Sequence, residues 1–279
     1  MLKPGELLRQ VDSYLSDLVL ETELGELRKA VNYSLLGGGK RIRPVLCLAA
    51  GEALKLEVSQ MLPAACSLEL VHTFSLVHDD LPALDNDDLR RGQPSCHIKF
   101  GEAVAILAGD ALLGEALRLA LTYDRTDVAR EVVNATLGMI GGQYIDITST
   151  NKLDAEGLAA LHRLKTGKLL AAPIGCALAV ADLSEAQEVP WRAFASDLGL
   201  LFQIVDDILD ATGTEEELGK TPGKDEVSGK ATYVTLHGLS RARELADVTR
   251  SRIESRLNDL DADTSILLEI VATIRERRT

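Results

Sequence analysis

Two long apolar stretches in this chain each run directly into a cluster of aspartates. The first, from about Ser59, carries Leu62, Cys66, Leu70 and Phe74 at helical spacing and ends at His78-Asp79-Asp80-Leu81-Pro82-Ala83-Leu84-Asp85. The second runs from about Gln187 into Asp206-Asp207-Ile208-Leu209-Asp210. Asp206 and Asp210 are one turn apart on one helix face, with Gln203 three residues before Asp206, and like charges at that spacing repel unless a cation sits between them. The helix dipole also disfavours negative charge at a C-terminus. A solvated acidic patch accounts for one such cluster. Two, each behind a strongly apolar helix, point to a ligand.

Pro82 cannot continue a helix, so a turn must bring Asp85 round towards Asp79. His72 lies seven residues before Asp79, two turns away on the same face. Arg90-Arg91-Gly92 follows closely. Acids alone repel phosphates, and arginines bind phosphates without needing aspartates. Both in one segment suggest divalent cations bridging carboxylates to a phosphorylated ligand. Magnesium suits that arrangement, taking one or two carboxylates plus phosphate oxygens and waters.

Lys40-Arg41-Ile42-Arg43 follows three glycines and precedes Pro44. Glycines permit close approach, and alternating cations can aim two charges at one anion; the run also reads as a basic surface loop. Lys165-Thr166-Gly167-Lys168 looks like the tail of a phosphate-binding P-loop, but the glycine-rich lead-in and preceding strand are missing, so that reading fails. As a helix end it carries favourable lysines. His78 reads as a packing residue, because His97, His162 and His237 form no matching ligand set with it.

Helix formers dominate, aromatics make up only 4%, and strand-like alternation is rare, so the fold class is all-α, with long helices packed around a central cavity. Helices are predicted over 5–20, 22–36, 44–56, from 59 to the first aspartates, over 101–121, 126–140, 154–166, 167–182 and 187–210, with two amphipathic helices at the end. Gly141-Gly142-Gln143 reads as a break before a short segment through Asp146, and 211–230 as a mobile loop. No linker divides the 279 residues, so one domain is expected. With 30 basic against 43 acidic residues and a net charge of −13, a nucleic-acid surface is excluded as the main partner. Four cysteines without metal spacing, no signal-peptide core at the start, and a longest apolar run, Leu169 to Ala181, too short to span a bilayer predict a cytoplasmic protein without stable membrane insertion.

Taken in order, these motifs resemble those of the trans-isoprenyl diphosphate synthases, most closely the short-chain bacterial farnesyl diphosphate synthases. Gly38-Gly39-Lys40-Arg41-Ile42-Arg43-Pro44, Asp79 to Asp85, Arg90-Arg91-Gly92, Gly142-Gln143, Lys165-Thr166 and Gln203 to Asp210 carry the resemblance over almost the whole chain. It implies that Asp79 and Asp85 hold two magnesium ions on an allylic diphosphate and Asp206 a third, supported by Asp80, Asp207 and Asp210. Arg90, Lys165 and Lys220 would complete that site. Lys40, Arg43, His72 and Arg91 would grip isopentenyl diphosphate. Thr166, Gln203 and Lys165 would lie beside the allylic cation, and Lys230 would help close the 211–230 loop.

Phe74, with Ser75 beside it, is the chain-length candidate. It precedes Asp79 by five residues, roughly 7.5 Å along a helix, and in the resembled family an aromatic there accompanies a fifteen-carbon product. The expected activity is condensation of isopentenyl diphosphate with dimethylallyl and geranyl diphosphate to (2E,6E)-farnesyl diphosphate. The rivals are a geranylgeranyl diphosphate synthase, a class I terpene cyclase, a non-catalytic synthase subunit and an acidic metal-binding scaffold. A homodimer is implied by the resemblance alone. Tyr144 and Ile145 depart from the small or plain aliphatic residues common after Gly142-Gln143, and Val234 replaces a frequent proline.

Overall fold

The computed structural model describes residues 2–149, 153–213 and 231–275. Its helices are α1 (Pro4–Ser16), α2 (Arg28–Leu35), α3 (Ile42–Ala53), α4 (Val58–Asp79), α5 (Cys96–Phe100), α6 (Glu102–Ala120), α7 (Asp127–Thr148), α8 (Ala155–His162), α9 (Lys168–Ala181), α10 (Glu185–Thr212), α11 (Tyr233–His237), α12 (Leu239–Asn258) and α13 (Ser265–Arg275). Among the described residues the strands amount to one antiparallel ribbon, β1 (Leu89–Arg90) with β2 (Gln93–Pro94). The fold class is all-α, as the composition implies.

Three predicted boundaries move, the first at α1, which ends at Ser16 rather than at residue 20. The helix expected from residue 22 starts instead as a 3₁₀ segment, Thr22–Leu27, because Gly25 leaves the helical path at φ 49°, ψ −127°. Regular helix begins only at Arg28. Conversely, Gly141-Gly142-Gln143 does not break α7, which runs unbroken to Thr148. Glycine inside a helix costs only about 1 kcal/mol relative to alanine, and packing against Gly142 accounts for its presence, as shown below.

The backbone divides into two compact units, Met1–Val133 with Gly175–Ala181, and Asn134–Ile174 with Asp182–Thr279. In the first, α4 is the axis and packs on α6 and α3. Met61, Leu68, Leu70, Val71, Phe74 and Val77 are all buried, so the helix is apolar nearly all round, as an interior helix must be. Gly109 on α6 lets His78 lie flush against it: a Cβ there would stand 2.2 Å from His78 Nε2. That nitrogen is 3.0 Å from the Ile106 carbonyl oxygen. His78 is the packing residue expected.

In the second unit, α10 plays the corresponding part. A capping box between Ser184 and Gln187 starts it, and Trp191, Phe194, Leu198, Leu201 and Val205 bury its inner face. Asp197 ties it to α12, accepting from Arg252 and Arg256 at 2.7–2.9 Å. The stretch Ala155–Ala181 is long and apolar enough to cross a membrane by length and composition. Half of its most apolar window is buried within the fold, which is also how a core helix reads.

Phe194 is fully buried. Phe194→Ala is expected to destabilise the protein by about 3–5 kcal/mol, read as a lower urea midpoint at unchanged slope, whereas Tyr144→Ala, at a 64% exposed site, shifts it by less than about 0.5 kcal/mol.

Candidate active site

In the first unit the turn after α4 doubles back on itself. Asp85 N–H donates to the Asp79 carbonyl at 2.8 Å, and Asp87 N–H to the Asp80 carbonyl at 3.2 Å. These long-span bonds return Asp85 to the end of α4, as the proline required. Asp79 is half-buried there and Asp85 exposed. Asp80 points inward instead. It is 2% exposed and accepts two hydrogen bonds from Arg90 Nε, at 3.0 and 3.2 Å, and a third from Nη2. Burial pushes the Asp80 carboxyl above the ordinary carboxylate range, and Arg90 draws it partly back. Burial acts to lower Arg90, but Asp80 more than compensates and holds the guanidinium charged.

The basic motif sorts its cations by direction. Arg41 takes a left-handed backbone conformation, φ 48°, at the entry to α3, and its side chain turns into the core. There it donates to Glu69 Oε1 and to the Leu35 carbonyl, both at 2.7 Å, with both charged side chains almost fully buried. Lys40 stays exposed and Arg43 half-buried. Arg91 reaches back across the loop, donating to the Gly38 carbonyl and lying 3.9 Å from Glu69. Gly39 must be glycine: at φ 123° a Cβ would stand 2.6 Å from the Arg91 guanidinium carbon.

His72 sits among these cations. Burial first, and then Arg43, Arg91, Arg90 and Arg41, hold it well below the ordinary histidine range, so it is neutral at pH 7. His72 on α4 is thus the half-buried imidazole nearest the basic motifs. Ser75 does not face a ligand with its hydroxyl, which donates to the His72 carbonyl at 2.8 Å. Phe74 is 7% exposed and meets the His78 ring edge-on at 4.9 Å.

In the second unit Lys165 and Thr166 lie in a π-helical turn, Arg163–Gly167, between α8 and α9 rather than at a helix end. Such a turn inserts an extra residue and redirects side chains. Two glycines admit it. A Cβ on Gly142 would stand 2.3 Å from the Lys165 nitrogen, and one on Gly199 3.0 Å from the Gly167 Cα. Lys165 Nζ donates to Asp146 at 2.5 Å. On α10, Asp206 is exposed, while Asp207 and Asp210 are buried. Gln203 donates from Nε2 to Asp207 Oδ1 at 2.8 Å, and Asp207 Oδ2 accepts the Tyr233 backbone N–H at 2.7 Å.

Among the described residues no three His, Cys, Asp or Glu side chains converge on one metal position. The donors that do stand at the helix ends, Asp79 with Asp85 and Asp206 with Asp210, are hard carboxylate oxygens. That set fits magnesium completed by phosphate oxygens and water rather than an all-protein cage.

The polyprenyl synthetase family model matches residues 25–270. The chain belongs to the polyprenyl synthetase family. A chloroplastic heterodimeric geranylgeranyl pyrophosphate synthase large subunit 1 of Arabidopsis thaliana is 44% identical to it over 268 residues, covering 91% of this chain and 72% of the relative. An FPP/GFPP synthase from Zymomonas mobilis, solved without ligand, superposes with a TM-score of 0.84 at 31% identity, covering 98% of this chain and 97% of that one. A geranyltransferase from Helicobacter pylori, complexed with magnesium and isoprenyl diphosphate, gives 0.81 at 32% identity, covering 98% and 95%. This polyprenyl synthetase is accordingly a trans-prenyltransferase with an isoprenoid synthase fold.

Lys220 and Lys230 lie outside the described residues. Tyr144 points outward, Ile145 is half-buried, and Val234 is half-buried in α11, behind a capping box of Thr232 and Thr235. Sequence reasoning gave no part to Glu69 or Asp146. An acid inside an apolar helix was the available signal for Glu69, because a buried carboxylate needs a partner. Asp146 gave no comparable signal, since only the π turn brings Lys165 to it.

Burial pushes His162, beside the π turn, down to about 4 from 6.5. Between those values the unfolded chain binds a proton that the folded one refuses, so stability falls as pH drops through that window. His72 acts in the same direction. His162→Gln is expected to reduce the stability lost between pH 7 and pH 5 by about 2 kcal/mol, measured by urea unfolding at both values; an unchanged loss would show that His162 titrates normally.

Proposed function

We propose that this polyprenyl synthetase condenses isopentenyl diphosphate with dimethylallyl and then geranyl diphosphate to give (2E,6E)-farnesyl diphosphate. The observation that carries the product length is Phe74, buried on α4 five residues before Asp79 and braced edge-on by His78. A chain anchored by its diphosphate at Asp79 and growing along α4 meets that ring after roughly 7.5 Å. A specific observation favours a second reading: the plant relative at 44% identity bears the name of a geranylgeranyl pyrophosphate synthase.

The chemistry follows from the donors. Magnesium, bound with the allylic diphosphate, neutralises the charge that develops on the leaving group. In the first unit Asp79 and Asp85 would hold it, with Asp80 supporting them; in the second Asp206 would do so, with Asp210 supporting it. Arg90 and Lys165 add fixed positive charge, and Lys220 would add to it. Lys40, Arg43, Arg91 and neutral His72 hold the diphosphate of isopentenyl diphosphate. A terpene cyclase has no use for that second anion pocket. The allylic carbon–oxygen bond breaks, the double bond of isopentenyl diphosphate attacks the cation, and a proton leaves. Thr166 and Gln203 stand beside the cation, where fixed dipoles stabilise it without a protein nucleophile. Lys230 would help to exclude water.

We also infer a cytoplasmic homodimer, three magnesium ions in the loaded enzyme, and a single functional domain across both compact units. Ile106 and Leu107 on α6, and Leu137 and Ile140 on α7, are exposed apolar side chains of the kind a subunit interface covers. A sedimentation mass of one chain would contradict the dimer.

Product analysis with magnesium, isopentenyl diphosphate and each primer in turn tests the reading. Farnesyl diphosphate from dimethylallyl and geranyl primers, with little extension of farnesyl diphosphate, supports it. Geranylgeranyl diphosphate as the main product favours the second reading, and no condensation from any primer overturns both. Phe74→Ala is expected to shift the main product by at least one five-carbon unit; unchanged length removes Phe74 as the floor.

A further inference from the structure

Asp207 has a different task from the other aspartates of its cluster. It is 4% exposed, and both of its oxygens are engaged by protein donors, Gln203 Nε2 at 2.8 Å and the Tyr233 backbone N–H at 2.7 Å. A carboxylate only accepts and a backbone N–H only donates. The end of the Gln203 amide that faces Asp207 is therefore its NH₂. The carbonyl oxygen, the negative end of the amide dipole, is turned away from Asp207. Gly199, one turn earlier on the same face of α10, is packed against Gly167 of the π turn. Gln203 thus stands next to the segment that carries Lys165 and Thr166.

We propose that Asp207 is a positioning residue that sets the polarity of the Gln203 amide, so that Oε1 and not Nε2 faces the developing allylic cation. This rests on the prenyltransferase reading above. An amide presented the other way would aim N–H hydrogens at positive charge and oppose ionisation. The Tyr233 N–H is the fixed reference, because any group at position 207 must turn an acceptor towards it.

That reference makes the device invertible. In Asp207→Asn the amide oxygen must serve Tyr233, leaving Nδ2 to face Gln203. Gln203 then turns its own oxygen inward to accept and points Nε2 at the cation. Adding Gln203→Glu restores an oxygen on both ends of residue 203 while the pair keeps the wild-type net charge. Gln203→Glu alone sets two carboxylates against each other.

The test is the four-member cycle of wild type, D207N, Q203E and D207N/Q203E, with kcat and both KM values measured. For D207N, kcat is expected to fall about 10- to 100-fold with KM changed less than about threefold; the double variant is expected to regain at least about tenfold over D207N and to exceed Q203E. Far-UV circular dichroism and thermal unfolding establish that each variant folds. Wild-type kcat in a folded D207N, or a double variant no better than D207N, overturns the proposal. Neutron diffraction reads the amide directly: deuterons on the Gln203 nitrogen facing Asp207 in wild type and reversed in D207N are expected, and an unreversed amide overturns it even for variants that do not turn over. Failure of the wild type to condense would instead overturn the prenyltransferase reading.

Discussion

Carboxylates held at the C-terminal ends of buried helices are the constraint around which both units are built. Asp79 closes α4, and Asp206 and Asp210 close α10. The helix dipole opposes each by about 0.3–1 kcal/mol, and one-turn spacing of like charges adds a few tenths more. Burying the apolar faces of α4 and α10 contributes far more than that, at about 1.5–3 kcal/mol for each large side chain. The cores therefore fix the helices, and the helices hold the acids in place.

A second set of contacts pairs interior acids with the cations of the basic motifs. Glu69 engages Arg41 and lies near Arg91, and Asp80 engages Arg90. Asp146 engages Lys165. These interior acids orient the cations they engage, and the imidazole of His72 stays neutral.

The fold class was legible because helix formers and 3.6-residue periodicity agree almost everywhere. The aspartates and cations of the candidate site stood out in sequence because charge at the end of an apolar run needs a reason. Direction was not legible. Arg41 sits in the same motif as Lys40 and Arg43, yet a left-handed backbone turns it inward, and no local pattern announces that angle. Gly142 looks like a helix breaker in sequence and is instead a close-approach site within a continuous helix, because the backbone pressed against it comes from twenty-odd residues later. Asp207 looks like one more ligand beside Asp206, until the partner of its second oxygen, the Tyr233 backbone, is seen.

The most direct measurement is magnesium dependence, taken as calorimetric binding of magnesium with and without a non-ionisable allylic diphosphate analogue. Weak binding of magnesium alone, with tight binding once the diphosphate is present and its loss in Asp79→Asn, is the result expected of carboxylates that complete a phosphate-bridged site. Equally tight binding with and without the diphosphate, or condensation that persists in excess chelator, would contradict it.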